Sequence, residues 1–194
     1  MASILISLAP FIVFFIAMRL GSPLAGLSAA FAASLLICYR QWRRGESVKV
    51  LEIGALALFG ALTLFTLVAE PAWTVATVRL AVDAGLFAIV VVSLAIGQPF
   101  TLQFARERVP KEYWTSPAFL ATNQRITAAW AAAFAVMASA DAAAQYVDAI
   151  PLWADIAASV AAFAAALWFT QWYPARVARR YGVATGAGGD PRTH

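Results

Sequence analysis

Residues 80–96 read LAVDAGLFAIVVVSLAI, a run of 17 residues with a single charge, Asp83. A strand rarely runs so far without a break, and a helix that crosses ~30 Å of hydrocarbon needs about 20 mostly apolar residues. The run with its flanks meets that length. Working outward in both directions, five further apolar blocks appear: Ile4–Met18, Leu24–Cys38, Ile53–Ala69, Ile126–Ala140 and Ile156–Phe169. A water-soluble chain of 194 residues cannot cover six such blocks in one core, whereas a bilayer solvates their outer faces. The expected fold is therefore all-α: a polytopic integral membrane protein of about six transmembrane helices. Composition agrees, with 62% hydrophobic and 12% charged residues and a mean hydropathy of +0.76. The first block is short and carries Pro10. It is read as a crossing, with a kinked or re-entrant segment as the alternative. No basic region precedes Ile4, which argues against a cleavable signal peptide.

Basic residues set the orientation. Arg40, Arg43, Arg44 and Lys49 follow the second block; Arg106, Arg108, Lys111 and Arg125 lie between the fourth and fifth; Arg176, Arg179, Arg180 and Arg192 follow the sixth. All of these fall on one side of a six-span arrangement, and only Arg19 and Arg79 fall elsewhere. The opposite connections carry Glu70, Asp141, Asp148 and Asp155. Basic loops stay cytoplasmic, so both termini are expected inside. The formal charge of +4 does not indicate nucleic acid, because it is spread over three loops at the membrane surface. Anionic lipid headgroups are the partner such loops imply. Cys38 is the one cysteine and His194 the one histidine, which leaves no internal disulfide and no expected metal site or cofactor.

The chain divides into one membrane domain, residues 1–174, and a basic, flexible cytoplasmic tail, residues 175–194, which contains the run Thr185–Gly189. The long connection Gln98–Arg125 is expected to hold a short interfacial helix over Pro99–Val109. Its Phe100 and Phe104 would dip into lipid, with Arg106 and Arg108 wet and Pro110 ending it. Tyr113 and Trp114 follow as interfacial anchors. Ser116-Pro117 is a helix-start signal. The last two blocks are alanine-rich, with four-residue repeats such as Ala157/Ala161/Ala165 and Ala158/Ala162/Ala166. Small-residue stripes let helices approach closely, either within one chain or across a homodimer seam.

Arg79 and Asp83 are the sharpest polar candidates. They sit four apart on one helix face near its outer end, where an ionised group is costly unless paired or hydrated. Two uses are open: a proton or ion relay or polar ligand anchor, and a structural pair that snorkels to the outer surface. Glu52 and Asp155 each open a helix, where a cap with a surface pair is expected. Asp141 ends one, where it should be solvated or paired. No phosphate loop, metal-ligand cluster or nucleophile elbow is present, and the two lysines, Lys49 and Lys111, lie in loops. An enzymatic role is therefore not expected.

Three stretches resemble the intracellular septation protein A family, small inner-membrane proteins of Gram-negative bacteria. They are the opening Ala9-Pro10-Phe11-Ile12-Val13-Phe14-Phe15, the aromatic–basic turn Tyr39-Arg40-Gln41-Trp42-Arg43-Arg44, and Phe59-Gly60-Ala61-Leu62-Thr63-Leu64-Phe65. Gly97-Gln98-Pro99-Phe100 and Trp130 are also similar to that family. The loop Gln98–Arg125 is longer than the family's, Gln98 replaces a lysine, Thr127 stands where an asparagine is expected, and Arg79 and Asp83 have no counterpart. The resemblance implies a bacterial inner-membrane location and a role in cell division and envelope integrity, through contacts with division or cell-wall synthesis membrane proteins. Arg40, Trp42, Arg43, Arg44, Arg106, Arg108, Tyr113 and Trp114 combine aromatic and guanidinium groups suited to such contacts or to headgroups. A small-solute, ion or proton transporter built on Arg79 and Asp83 is the second expectation. Reporter tags fused after Gly45 and after Pro110 should both remain cytosolic, as judged by protease protection in spheroplasts.

Overall fold

The computed structural model describes residues 2–147 and 151–180. Asp148, Thr185–Gly189, Arg192 and His194 lie outside the described residues. Among the described residues seven α-helices follow one another: α1 (Ala2–Leu20), α2 (Pro23–Arg43), α3 (Val50–Ala69), α4 (Val75–Ala95), α5 (Phe100–Arg106), α6 (Pro117–Tyr146) and α7 (Leu152–Arg180). A 3-10 turn, Lys111–Tyr113, sits between α5 and α6, and the described residues contain no strand. Five helices, α2, α3, α4, α6 and α7, are long and apolar enough to cross a membrane. The apolar stretch of α1, Ile6–Leu20, is shorter. α1 is nevertheless continuous through Pro10.

Local chemistry marks the helix starts. Ser22, Thr74 and Ser116 cap α2, α4 and α6, each hydroxyl accepting from the backbone N–H three residues on. Pro23 and Pro117 follow their serines at the first helical position, where a missing N–H costs nothing. Glu70 ends α3 with φ of 43°, an uncommon conformation for a side chain other than glycine.

α6 is the hub: it packs against α4 on one side and α7 on another, and α5 lies on it. α1, α2 and α3 pack in sequence and join this layer where α3 meets α4. The core is aromatic. Phe14 and Phe59 are fully buried with ring centroids 5.8 Å apart. Trp130 sits at the crossing of three elements, its ring 6.3 Å from Phe100, 5.5 Å from Phe134 and 5.3 Å from Phe163. Its indole N–H donates to Thr170 Oγ1 at 3.0 Å.

A short helix, α5, is present where one was expected after the fourth apolar block, but its aromatics turn inward. Phe100 and Phe104 are buried in the core, and Thr101 Oγ1 lies 2.7 Å from Thr127 Oγ1 of α6. Two such hydroxyls satisfy one another, which fixes the face α5 turns inward. The alanine stripes also divide. Ala158/Ala162/Ala166 faces inward, with Ala166 buried, whereas Ala157/Ala161/Ala165 is exposed.

Close helix approach depends on missing side chains. A Cβ added to Gly26 of α2 would lie 2.9 Å from Met18 Cβ and 3.2 Å from Met18 Cα. α1 and α2 therefore touch almost backbone to backbone. Gly26→Leu should separate them and destabilise the chain by about 1–3 kcal/mol, the usual cost of overpacking. Ala157→Leu on the exposed stripe should leave stability unchanged. Unfolding of both variants in mixed micelles checks this.

Candidate functional site

The first turns of α4 place Arg79 and Asp83 one turn apart on its inward face, and both are buried. α6 runs back along α4 and brings Asp141 to the same level. The connection after α6 then delivers Asp155 at the start of α7. The Arg79 guanidinium spans the last two: Nη2 lies 2.7 Å from Asp141 Oδ1 and Nη1 lies 2.7 Å from Asp155 Oδ2. A planar fork with two arms is suited to this bridging, which a lysine could not reproduce. Asp83 faces the same cavity as Asp141 and Asp155. Gln145 of α6 donates to Thr77 Oγ1 at 3.0 Å and secures the end of α6 over the start of α4.

Three expectations need correction. Arg79 does not snorkel to the outer surface: it is 9% exposed, because two carboxylates from neighbouring helices hold it inward. It makes no ion pair with Asp83 among the described residues; its partners come from α6 and α7. Asp155 is not a surface cap but a buried ligand of Arg79, 3% exposed. Asp141, expected to be solvated or paired, is paired. Its position near a helix C-terminus opposes the dipole, and Arg79 offsets this.

The cluster lies at one end of a cavity of about 1160 Å³ bounded by α1, α4, α6 and α7. The remaining walls are apolar, including Phe11 and Phe15 of α1, Phe134 of α6 and Phe163 of α7. Donors are scarce within it. Asp83 Oδ2, Asp141 Oδ2, Asp155 Oδ1 and Ser159 Oγ are buried and have no hydrogen-bond partner among the described residues. Arg79 Nε is likewise unpartnered. Each such buried group costs on the order of 1–3 kcal/mol unless something else satisfies it. No three His, Cys, Asp or Glu side chains among the described residues converge as metal ligands do.

A second polar cluster occupies the opposite end of the helices. Glu52 of α3 accepts from Ser7 Oγ at 2.5 Å, from Gln41 Nε2 at 2.7 Å and from the backbone N–H of Lys49 at 2.9 Å. It caps α3 as expected, but it is buried at 2% exposure rather than paired at the surface. Lys49 instead pairs with Glu107 at 3.0 Å and lies over the Phe104 ring. Gln103 Oε1 accepts from the N–H of Val50 at 2.8 Å. These bonds bring together the two loops read as contact surfaces. Arg40, Trp42, Arg43 and Arg44 end α2 in exposed positions, and Arg106, Arg108 and Tyr113 are exposed beside them. Trp114 is half-buried: its indole N–H donates to the carbonyl of Val109, and the Arg106 guanidinium stacks over its ring.

Asp141 and Asp155 are the site residues that sequence reading missed as such. The signal available for them was their place, with Arg79, on the acidic side of the span arrangement. Comparisons of the chain with protein-family models, curated proteins and solved structures gave no match.

Removing one partner of a buried ion pair costs about 3–5 kcal/mol, because a charge is left without its counterion. Asp141→Ala should lower stability by that order. Adding Arg79→Met to it should restore part of the loss, and a double-mutant cycle of unfolding in micelles measures this.

Proposed function

We propose that this chain is a multi-pass protein of the bacterial inner membrane, with six crossings and both termini in the cytoplasm. Its function is to bind and pass a proton or cation at the Arg79–Asp83–Asp141–Asp155 cluster, without covalent chemistry. One observation carries this reading: three carboxyls, each no more than 3% exposed, line a single cavity with acceptor oxygens that have no hydrogen-bond donor among the described residues. One guanidinium cannot balance three ionised carboxylates out of water, so the excess negative charge calls for a proton or another cation. Ionisable groups at membrane depth are rare, face the bundle interior and mark ion and proton pathways. Counting of basic loops puts this cluster toward the outer face and the Glu52 cluster toward the cytoplasm.

A second reading has its own support. Trp42 is 73% exposed among three arginines, and the Lys49–Glu107 pair joins that surface to the loop carrying Arg106 and Arg108. Such a surface suits anionic headgroups or a membrane-protein partner, and the likeness to septation proteins makes division and cell-wall synthesis proteins the partners to seek. The exposed stripe Ala157/Ala161/Ala165 is the corresponding seam for a homodimer.

In proteoliposomes with an entrapped pH dye, the wild-type chain should dissipate an imposed proton or small-cation gradient. Asp83→Asn should slow this at least tenfold while elution and helix content stay unchanged. Equal rates in the two proteins would refute the transport reading and leave the partner surface as the functional one.

A further inference from the structure

The size and shape of the cavity exceed what a proton or bare ion needs. At about 1160 Å³ it lies at or above the upper end of pockets that hold drug-sized molecules, roughly 300–1,000 Å³. α1 packs on α2 and α3, and α7 packs on α6, so these two helices flank the cavity without closing on each other. The residues they present along this crevice are apolar and open to the surroundings: Ile12 and Ile16 on α1, and Val160 on α7, are each more than half exposed. In a bilayer these are lipid-facing positions, and the crevice is a side entrance from the hydrocarbon.

Chemistry changes abruptly at one end. There the wall offers the acceptors Asp83 Oδ2, Asp141 Oδ2 and Asp155 Oδ1, with Ser159 one helical turn beyond Asp155. Arg79 and the exposed Arg19 also line this end. Counted together, three aspartates and two arginines leave a formal excess of one negative charge. The carboxylates do not converge as metal ligands do, so the missing charge fits an extended donor group better than a bare ion. An ammonium head supplies up to three N–H donors and no acceptor. A hydrocarbon tail on the same molecule would lie along the aromatic and aliphatic walls. Lipid already solvates apolar tails, so selection must come from the head, and the head site is acidic.

Resting on the reading of the cluster as a cation site, we propose that the crevice between α1 and α7 binds an amphiphilic organic amine, its ammonium at the aspartates and its single chain along the crevice. The bilayer concentrates such molecules beside the opening, and the charge excess discriminates against fatty acids and other anionic amphiphiles of equal length.

The test uses the full chain in neutral detergent and measures retention of radiolabelled dodecylammonium, dodecanoate and propylammonium. Saturable retention of dodecylammonium at least tenfold tighter than dodecanoate is expected, with Asp83→Asn reducing it at least tenfold. Because a buried variant can fail to fold, Val160→Trp provides an exposed alternative that fills the crevice and leaves every aspartate in place. It should weaken dodecylammonium at least tenfold and leave propylammonium unchanged. Equal retention of dodecanoate, or full retention of dodecylammonium by Val160→Trp, overturns the proposal. If dodecylammonium is not retained while propylammonium binding or proton flux still depends on Asp83, the amphiphile proposal falls and the cation site stands. If Asp83→Asn alters neither amine binding nor flux, both fall together.

Discussion

A guanidinium removed from water must find carboxylates for its arms, and in this chain they come from two other helices. Arg79 of α4 meets Asp141 of α6 and Asp155 of α7 at 2.7 Å each. That single residue therefore sets the relative depth of three helices at one end of the molecule. Apolar packing between helices in lipid is weakly directional, because lipid tails are as apolar as the side chains they replace. A charged three-helix junction supplies register that greasy surfaces alone do not. The same junction leaves carboxylate oxygens without donors, and this combination of structural tie and unmet hydrogen-bonding capacity makes the cluster a candidate site as well as a clamp.

The molecule has two polar poles separated by an aromatic belt. At the acidic pole, α4, α6 and α7 meet through charge. At the basic pole, Glu52 gathers Ser7 of α1, Gln41 of α2 and the N-terminus of α3, while Lys49–Glu107 and Val50–Gln103 tie in α5. The two poles bind different sets of helices. Between them Trp130 and its ring neighbours fill the place where α5, α6 and α7 meet, and Phe11, Phe14 and Phe59 join α1 to α3. The α1–α7 side receives neither kind of closure. That is the physical origin of the crevice: two helices flank a common wall, and each packs mainly on other helices, α1 on α2 and α3 and α7 on α6.

Much of the helical framework was legible from residues 80–96 outward, because hydropathy blocks of helix length report directly on the solvent a segment prefers. Ser116-Pro117 located the start of α6 for an equally local reason: the cap hydroxyl and the proline act within one turn. The candidate site was only half legible. Arg79 and Asp83 stood out by intramembrane charge and spacing, but Asp155 looked like an ordinary N-terminal carboxylate, and Glu52 looked the same. Phe100 and Phe104 had the spacing of an interfacial helix, yet the same spacing serves an inward face, and Thr101 paired with Thr127 selects the latter.

By itself the amino-acid order determined which segments are helical, which of them suit lipid, where several begin, and which ends gather positive charge. These are properties of contiguous residues, set by side-chain transfer free energies and cap chemistry over a turn or two. Tertiary structure alone decided that Asp141 and Asp155 share one guanidinium, that Glu52 is buried, and that α1 and α7 stand apart around a cavity. Those outcomes depend on residues separated by dozens of positions, and a buried charge takes whichever counterion the packing of its helices brings within 3 Å.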